Sequence, residues 1–258
     1  MAPVLNMYGL PTLVEPREMA GGTVVVIDVL RASTSIVHAL AAGAKQIIPC
    51  LEVEEARATA AGFPEDERVL AGERGGLPPE GFDLGNSPDE FTPETVRGKT
   101  LIFTTTNGTR AMQRCREAEH IYIGAFVNAA AVCEKIAESP EIHLLCAGTE
   151  GDFSYDDVYL AGLLIERLLQ RGGVTYKMNA QAVTARETWL SVFALPHAVG
   201  AETLKPEQLV EPLRKSAGGQ NLVRVGLESD ILTAAQLDLF SIVPELEPTS
   251  FRIYSEEG

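Results

Sequence analysis

Three times along the chain a short apolar run passes into a polar turn and then into a helical pattern, the signature of successive βα units. In the first, Thr23 to Val29 is a β-branched run suited to a strand buried on both faces. Leu30 to Ser35 is its turn, where Ser33 or Thr34 can cap a helix through Ile36, Val37, Leu40 and Ala41 that Gly43 closes before a strand over Lys45 to Cys50. In the second, a strand over Thr100 to Thr106 leads through Asn107-Gly108-Thr109 into a helix to about Ala118, then a strand over His120 to Phe126. Asn-Gly is a hairpin signal, but Arg110 to Arg114 has helical propensity and no strand alternation, so the spacing predicts a strand-to-helix turn. In the third, Ile142 to Cys146 is the strand, Ala147 to Asp152 the loop, and Tyr155 to Arg171 the helix, stopped by Gly172-Gly173.

Such alternation predicts a three-layer α/β/α fold whose mostly parallel or mixed sheet is built from repeated βα units. The chain is read as one α/β domain over residues 1–258, with two similar halves as the alternative. The polar turns follow strand ends, where open α/β sheets bind their ligands. From Gly72 to Glu90 the sequence GERGGLPPEGFDLGNSPDE has neither period; a loop this long is functional or disordered, and its mixture of Gly with Glu73, Arg74, Asn86 and Ser87 favours an ordered loop folded over the site. Toward the C-terminus, Ala180 to Phe193 and Gln220 to Glu228 read as helices, and Ser250 to Tyr254 as an edge strand.

Composition narrows the functional classes. With 21 Lys+Arg against 36 Asp+Glu the formal charge is −15, which argues against a nucleic-acid partner held by net charge. The longest apolar runs fall well short of a membrane span of about 20 residues. The first cation is Arg17, so a secretory leader is not supported and the expected location is the cytoplasm. Cys50, Cys115, Cys133 and Cys146 form no C-x-x-C pair and read as buried reduced thiols. His38, His120, His143 and His197 are too scattered for a histidine metal site.

Asp28, at the end of a Val/Ile run, is costly to bury unless it is paired or bound to a metal. It is either a site carboxylate beside an anion-binding helix start, or one half of an Asp28–Arg31 ion pair that shapes the turn. Thr104 to Thr109 offers hydroxyls and free N–H groups to an anion. Asp152, Asp156 and Asp157 flank the third helix start; the helix dipole alone favours acids there, yet carboxylates from two strand ends can also hold a hard cation such as Mg²⁺. No G-x-x-x-x-G-K-[ST], G-x-G-x-x-G or G-x-S-x-G is present.

Taken together, D-V-L-R-A-S-T at Asp28 to Thr34, G-E-R-G-G at Gly72 to Gly76, G-F-D-L-G-N-S-P at Gly81 to Pro88, T-T-T-N-G-T at Thr104 to Thr109 and C-A-G at Cys146 to Gly148 resemble the 2-phosphosulfolactate phosphatase family. The resemblance implies an α/β fold and Mg²⁺-dependent removal of phosphate from 2-phosphosulfolactate on the way to coenzyme M. It implies catalytic roles for Asp28 and Arg31, and metal ligation by Asp28 with one or more of Glu73, Asp156 and Asp157. Substrate contacts would come from Ser33, Thr34, Arg74, Asn86, Ser87, Thr105, Asn107, Gly108 and Thr109. The expected partner is a small anionic phosphate ester, with neither nucleic acid nor membrane; a homo-oligomer is left open. Two alternatives stand beside this reading: a phosphatase or phosphodiesterase for another small acidic metabolite, and a non-catalytic anion-binding protein. Asp28 is placed like an aspartyl-phosphate nucleophile, but the D-x-D pattern fails at Leu30, which favours attack by water.

Overall fold

The run Val24 to Ile27 is wholly excluded from solvent, and the sheet is organised around it. The computed structural model describes residues 2–194 and 204–255. Its strands are β1 (Val4–Tyr8), β2 (Thr23–Ile27), β3 (Gln46–Cys50), β4 (Arg68–Gly72), β5 (Thr100–Thr104), β6 (His120–Gly124), β7 (Glu141–Cys146), β8 (Lys177–Met178), β9 (Glu245–Glu247) and β10 (Arg252–Tyr254). The helices are α1 (Ala32–Ala41), α2 (Val53–Ala60), α3 (Pro93–Val96), α4 (Gly108–Arg114), α5 (Ala129–Ile136), α6 (Tyr155–Gln170), α7 (Ala180–Trp189), α8 (Pro206–Lys215), α9 (Ala217–Val225) and α10 (Ser229–Ala234).

All ten strands join one mixed sheet in the order β4-β5-β3-β10-β9-β6-β2-β7-β1-β8. It consists of two parallel blocks. In one, β2 lies between β6 and β7, with Ile27 opposite Gly124 and Cys146. In the other, β5 lies between β3 and β4, with Thr104 opposite Cys50 and Gly72. The antiparallel β9–β10 pair joins them, β9 against β6 and β10 against β3, so the two blocks run in opposite directions. The expected edge strand near the C-terminus is therefore interior: Ile253 sits opposite Ile47 on one side and Leu246 on the other.

Alternation within β2 divides the core. Val25 and Ile27 share a cluster with Phe126, Val132 of α5, Leu160 and Leu164 of α6, and Trp189 of α7. Val24 and Val26 share a second cluster with Ile36 and Leu40 of α1, Met112 of α4, and Ile47, Leu101 and Phe103 of the other block. Each such side chain removed from water contributes about 1.5–3 kcal/mol. Although the two blocks run in opposite directions, the segments that follow β2 and β5 meet, with Gly108 at the start of α4 packed against Ala32 and Asp28. On the far side of β5, Ile102 packs with Leu70 and with Ala56 and Ala60 of α2.

The four cysteines are free and buried, and burial pushes the Cys50 thiol up to about 11 and those of Cys115 and Cys133 up to about 12. No helix among the described residues is long and apolar enough to cross a membrane.

Candidate active site

The turn after β2 is built from its own short polar side chains. The Ser33 hydroxyl accepts the Asp28 N–H at 2.9 Å and donates to the Val26 carbonyl, and the Thr34 hydroxyl donates to the Val29 carbonyl at 2.7 Å. The Ala32 N–H donates to Asp28 Oδ1 at 3.3 Å, so the carboxylate reaches over the start of α1. Ser33 and Thr34 are fully buried and serve the backbone here rather than lining the cavity.

The Gly72–Glu90 segment is ordered and folds back along β4. Gly72 N–H donates to the Gly85 carbonyl at 3.0 Å, and Asp83 exchanges bonds with Leu70 through both its backbone N–H and its carboxylate. A φ of +138° and a path hard against the Thr104 carbonyl leave no room for a side chain at Gly72. The chain can therefore turn at once and present Glu73. That carboxylate accepts the Gly76 N–H at 2.9 Å and the Thr106 N–H at 2.7 Å, bridging the loop to the end of β5.

Arg74 turns the other way. Its guanidinium donates to the Glu73 and Leu51 carbonyls and to the Thr104 hydroxyl, which fastens the loop and leaves the cavity wall to its neighbours. Gly108 is close-packed: a Cβ there would fall 2.7 Å from the Ala32 Cβ and 2.8 Å from Asp28 Oδ2. Thr105 and Thr109 bond to each other through their hydroxyls.

From the third unit, Asp157 accepts the Val29 N–H and the Gly148 N–H, both at 2.9 Å, and so locks the end of β2 to the loop after β7. Asp156 accepts from the Ser154 hydroxyl. The C-terminal helices close over these turns. The Gly218 N–H reaches Ser154 Oγ, and a Cβ on Gly218 would meet Leu30 and Asp156 Oδ2.

A cavity of about 70 Å³ remains at the junction, lined by Asp28, Leu30, Arg31, Glu73, Gly75, Gly76, Asn86, Thr105, Thr106, Asn107, Thr149, Glu150, Gly218, Asn221 and Leu222. It admits a handful of water-sized groups, since one water needs about 10–15 Å³ on this measure. Of the residues singled out in the sequence, Asp28, Arg31, Glu73, Asn86, Thr105 and Asn107 meet there. Ser33, Thr34, Arg74, Ser87, Gly108, Thr109, Asp156 and Asp157 stand behind the wall as its support. None of the three described histidines lines it, and His197 lies outside the described residues.

Arg31 does not pair with Asp28. Its Nη1 donates to Asp230 Oδ2 at 2.7 Å and to Ser87 Oγ at 3.3 Å, and its Nη2 to the Gly76 carbonyl at 2.7 Å. Ser87 also donates to Asp230, so the two carry the guanidinium jointly. Asp230 had only a weak signal in the sequence, as an acid after a helix. Gly218, Asn221 and Leu222 had none, because nothing local ties residues of the last helices to a turn nearly 200 positions earlier.

Asp28, Glu73, Asp156 and Asp157 are all buried, and among the described residues none of them forms an ion pair. Burial, and then repulsion from Asp156 and Glu73, push the Asp28 carboxyl up to about 7. Burial and the neighbouring Asp156 and Asp28 likewise hold Asp157 well above the carboxylate range. A cation placed among these carboxylates would relieve their mutual repulsion. No group of three or more His, Cys, Asp or Glu side chains forms a ready cage among the described residues. Mg²⁺ does not require one, because it takes one or two carboxylates and keeps waters and substrate oxygens for the rest. Asp28 and Glu73 supply hard oxygen donors on the cavity wall and fit that demand.

The sequence model of the family described as "2-phosphosulpholactate phosphatase" matches residues 8–249. A protein of Symbiobacterium thermophilum named "Probable 2-phosphosulfolactate phosphatase" is 38% identical over 229 residues, 88% of this chain and 92% of its own length. One of Caldanaerobacter subterraneus subsp. tengcongensis with the same name is 47% identical over 165 residues, 64% of this chain and 68% of its own length. A third, from Thermotoga maritima and again so named, is 37% identical over 225 residues, 87% of this chain and 88% of its own length.

Proposed function

The chain belongs to the 2-phosphosulfolactate phosphatase family, and we propose that it hydrolyses 2-phosphosulfolactate to sulfolactate and phosphate with the help of Mg²⁺. The observation that carries this reading is the cavity itself: a buried carboxylate with a pKa of about 7 stands beside one pre-oriented guanidinium, on walls contributed by four separate turns.

Arg31 is the anion clamp. Three of its N–H donations are committed to Asp230, Ser87 and Gly76, and the remainder of the fork is left for phosphoryl oxygens. Asn86 adds a side-chain amide whose Oδ1 is buried without a partner, and Thr106 a hydroxyl in the same condition. Both lie on the wall, where the Thr106 hydroxyl can donate to the ester's oxygens and the Asn86 amide oxygen can accept from a water beside them. Asp28 and Glu73 would hold Mg²⁺, which when bound neutralises charge on the phosphoryl oxygens.

Asp28 has a second task available to it. Where the cation is held by Glu73 and not by Asp28, the raised proton affinity of Asp28 suits it to take a proton from an attacking water, whereas Mg²⁺ bound to Asp28 itself would lower that affinity. Asp157 positions this residue by bonding the next N–H along, at Val29. Gly218 and Leu222 roof the site and limit access of bulk water. Ester hydrolysis by this route needs no histidine and no nucleophilic cysteine. The expectation that water attacks, and not Asp28, is retained.

The substrate is tested by steady-state phosphate release on 2-phosphosulfolactate and a panel of small phosphate monoesters. The reading expects the highest kcat/KM on phosphosulfolactate. A higher value on an ester without the sulfonate would keep the chemistry and reject the substrate.

A further inference from the structure

Behind β4, away from the cavity just described, lies a second and larger hollow of about 740 Å³. Its walls are the C-terminal end of α2 with Arg57, the first half of β4 with Arg68, the loop residues Gly81, Asp83 and Leu84, and Lys99 just before β5. We propose that this hollow is a binding site for a small polyanion bearing two or more phosphate-like or carboxylate groups.

The charges are placed for such a ligand. Three cations, Arg57, Arg68 and Lys99, face the hollow against two acids, Glu65 and Asp83, which leaves an excess of one positive charge. The Asp83 carboxylate is committed to the Leu70 N–H at 2.8 Å. Glu65 forms only a long, solvent-exposed ion pair with Arg68, at 3.9 Å with the Glu65 side chain 94% exposed, and such surface pairs are weak. In a chain of net charge −15 a local excess of cations is what an anion site requires, because the long-range field repels anions.

Two of the cations are also held ready. Arg57 donates to the Glu80 carbonyl at 2.5 Å and lies 5.8 Å over the Phe82 ring, so its guanidinium is oriented without a carboxylate. The Arg68 side chain is only 20% exposed, and its Nε is buried with no acceptor. A buried N–H without a partner is rare, and an anionic oxygen bound at the edge of the hollow would satisfy it. The volume falls in the range of about 300–1,000 Å³ typical of small-ligand sites. No aromatic side chain lines the hollow, so the ligand is recognised by its charge and not by stacking.

The same loop serves both sites. Gly81, Asp83 and Leu84 touch the hollow, and Glu73, Gly75, Gly76 and Asn86 wall the catalytic cavity. An anion bound behind β4 therefore braces the loop from its outer side.

The probe is methylenediphosphonate, whose P–C–P link is not an ester, titrated calorimetrically into the full chain in metal-free buffer. Hydrogen exchange locates the bound anion. Binding is expected to slow exchange over residues 57–61 and 81–85, and Arg68→Gln or Lys99→Gln is expected to weaken it by about tenfold each, the scale of one charge-assisted contact. Lys99→Gln stands as an independent test if Arg68→Gln does not fold. The proposal is overturned by affinity unchanged in the folded variants, by protection confined to residues 28–31 and 104–107, or by no binding at millimolar diphosphonate.

Discussion

Arg31 and Asp230, 199 positions apart in sequence, form an ion pair of 2.7 Å with both side chains 2% exposed. The pair does two things at once. It fastens the start of α10 to the turn after β2, and it aims a guanidinium that would otherwise swing within its own side-chain freedom. A buried pair of this kind is poor evidence for added stability, since desolvation opposes the attraction, but it is strong evidence for a fixed orientation.

Removing one partner leaves the other charge buried and unpaired. Asp230→Asn is expected to lower folding stability by about 3–5 kcal/mol and to raise KM for the phosphate ester, with partial recovery in Asp230→Glu. Urea melts and steady-state kinetics check both. A stable variant with unchanged KM would show that Arg31 needs no positioning.

The Asp28 carboxyl is raised from 3.8 to about 7, so the folded protein binds its proton more tightly than the unfolded chain does. Its contribution to stability is fully present below about pH 3.8 and is lost as pH rises toward 7. In metal-free protein, stability measured by urea melts should fall across that window, and Asp28→Asn should flatten the slope and raise stability above it. The raised Asp156 and Asp157 carboxyls add slope of the same sign, so the flattening is partial.

At Gly108 the constraint is steric, for an added methyl group would press on both Ala32 and Asp28 Oδ2. Gly108→Ala should cost about 1–3 kcal/mol, the usual penalty of overpacking. It should also cost far more activity than an equally destabilising core change at Leu101. Equal losses in the two variants would assign Gly108 to packing alone.

Asn86 separates function from architecture by a different route. Its side-chain Oδ1 is buried unsatisfied, so Asn86→Leu, close in volume, should leave the melting temperature unchanged or raised while kcat/KM falls by about tenfold or more. A destabilised but fully active variant would contradict its place on the substrate wall.

Much of this site is legible in the sequence because it is made of turns that directly follow apolar strands. Asp28, Glu73, Asn86, Thr105 and Asn107 each sit within a few residues of a strand end or inside the one long Gly-rich segment, and they do converge. Two kinds of information are absent from local pattern. Direction is one: Arg74 stands beside Glu73, yet one points to the Leu51 carbonyl and the other to the cavity, a choice fixed by the backbone turn at Gly72. Closure over long range is the other, as with Asp230 on Arg31 and Gly218 on Asp156. The same limit applies to the fold. Strands β2, β5 and β7 announce themselves by length and β-branching, whereas β8, β9 and β10, of two or three residues each, are too short to show a period, and β9 and β10 are what join the two halves of the sheet.

The central claim is that Asp28 carries Mg²⁺-dependent phosphate release in this cavity. Its most direct test is phosphate release from 2-phosphosulfolactate by wild-type protein and Asp28→Asn, each with Mg²⁺ and with EDTA, alongside a melt of each protein. The account predicts turnover in the wild type that EDTA abolishes, and loss of about three orders of magnitude or more in a variant that melts no lower, in line with removal of a group acting on the transition state. Release that survives EDTA, or that survives in folded Asp28→Asn, would contradict it.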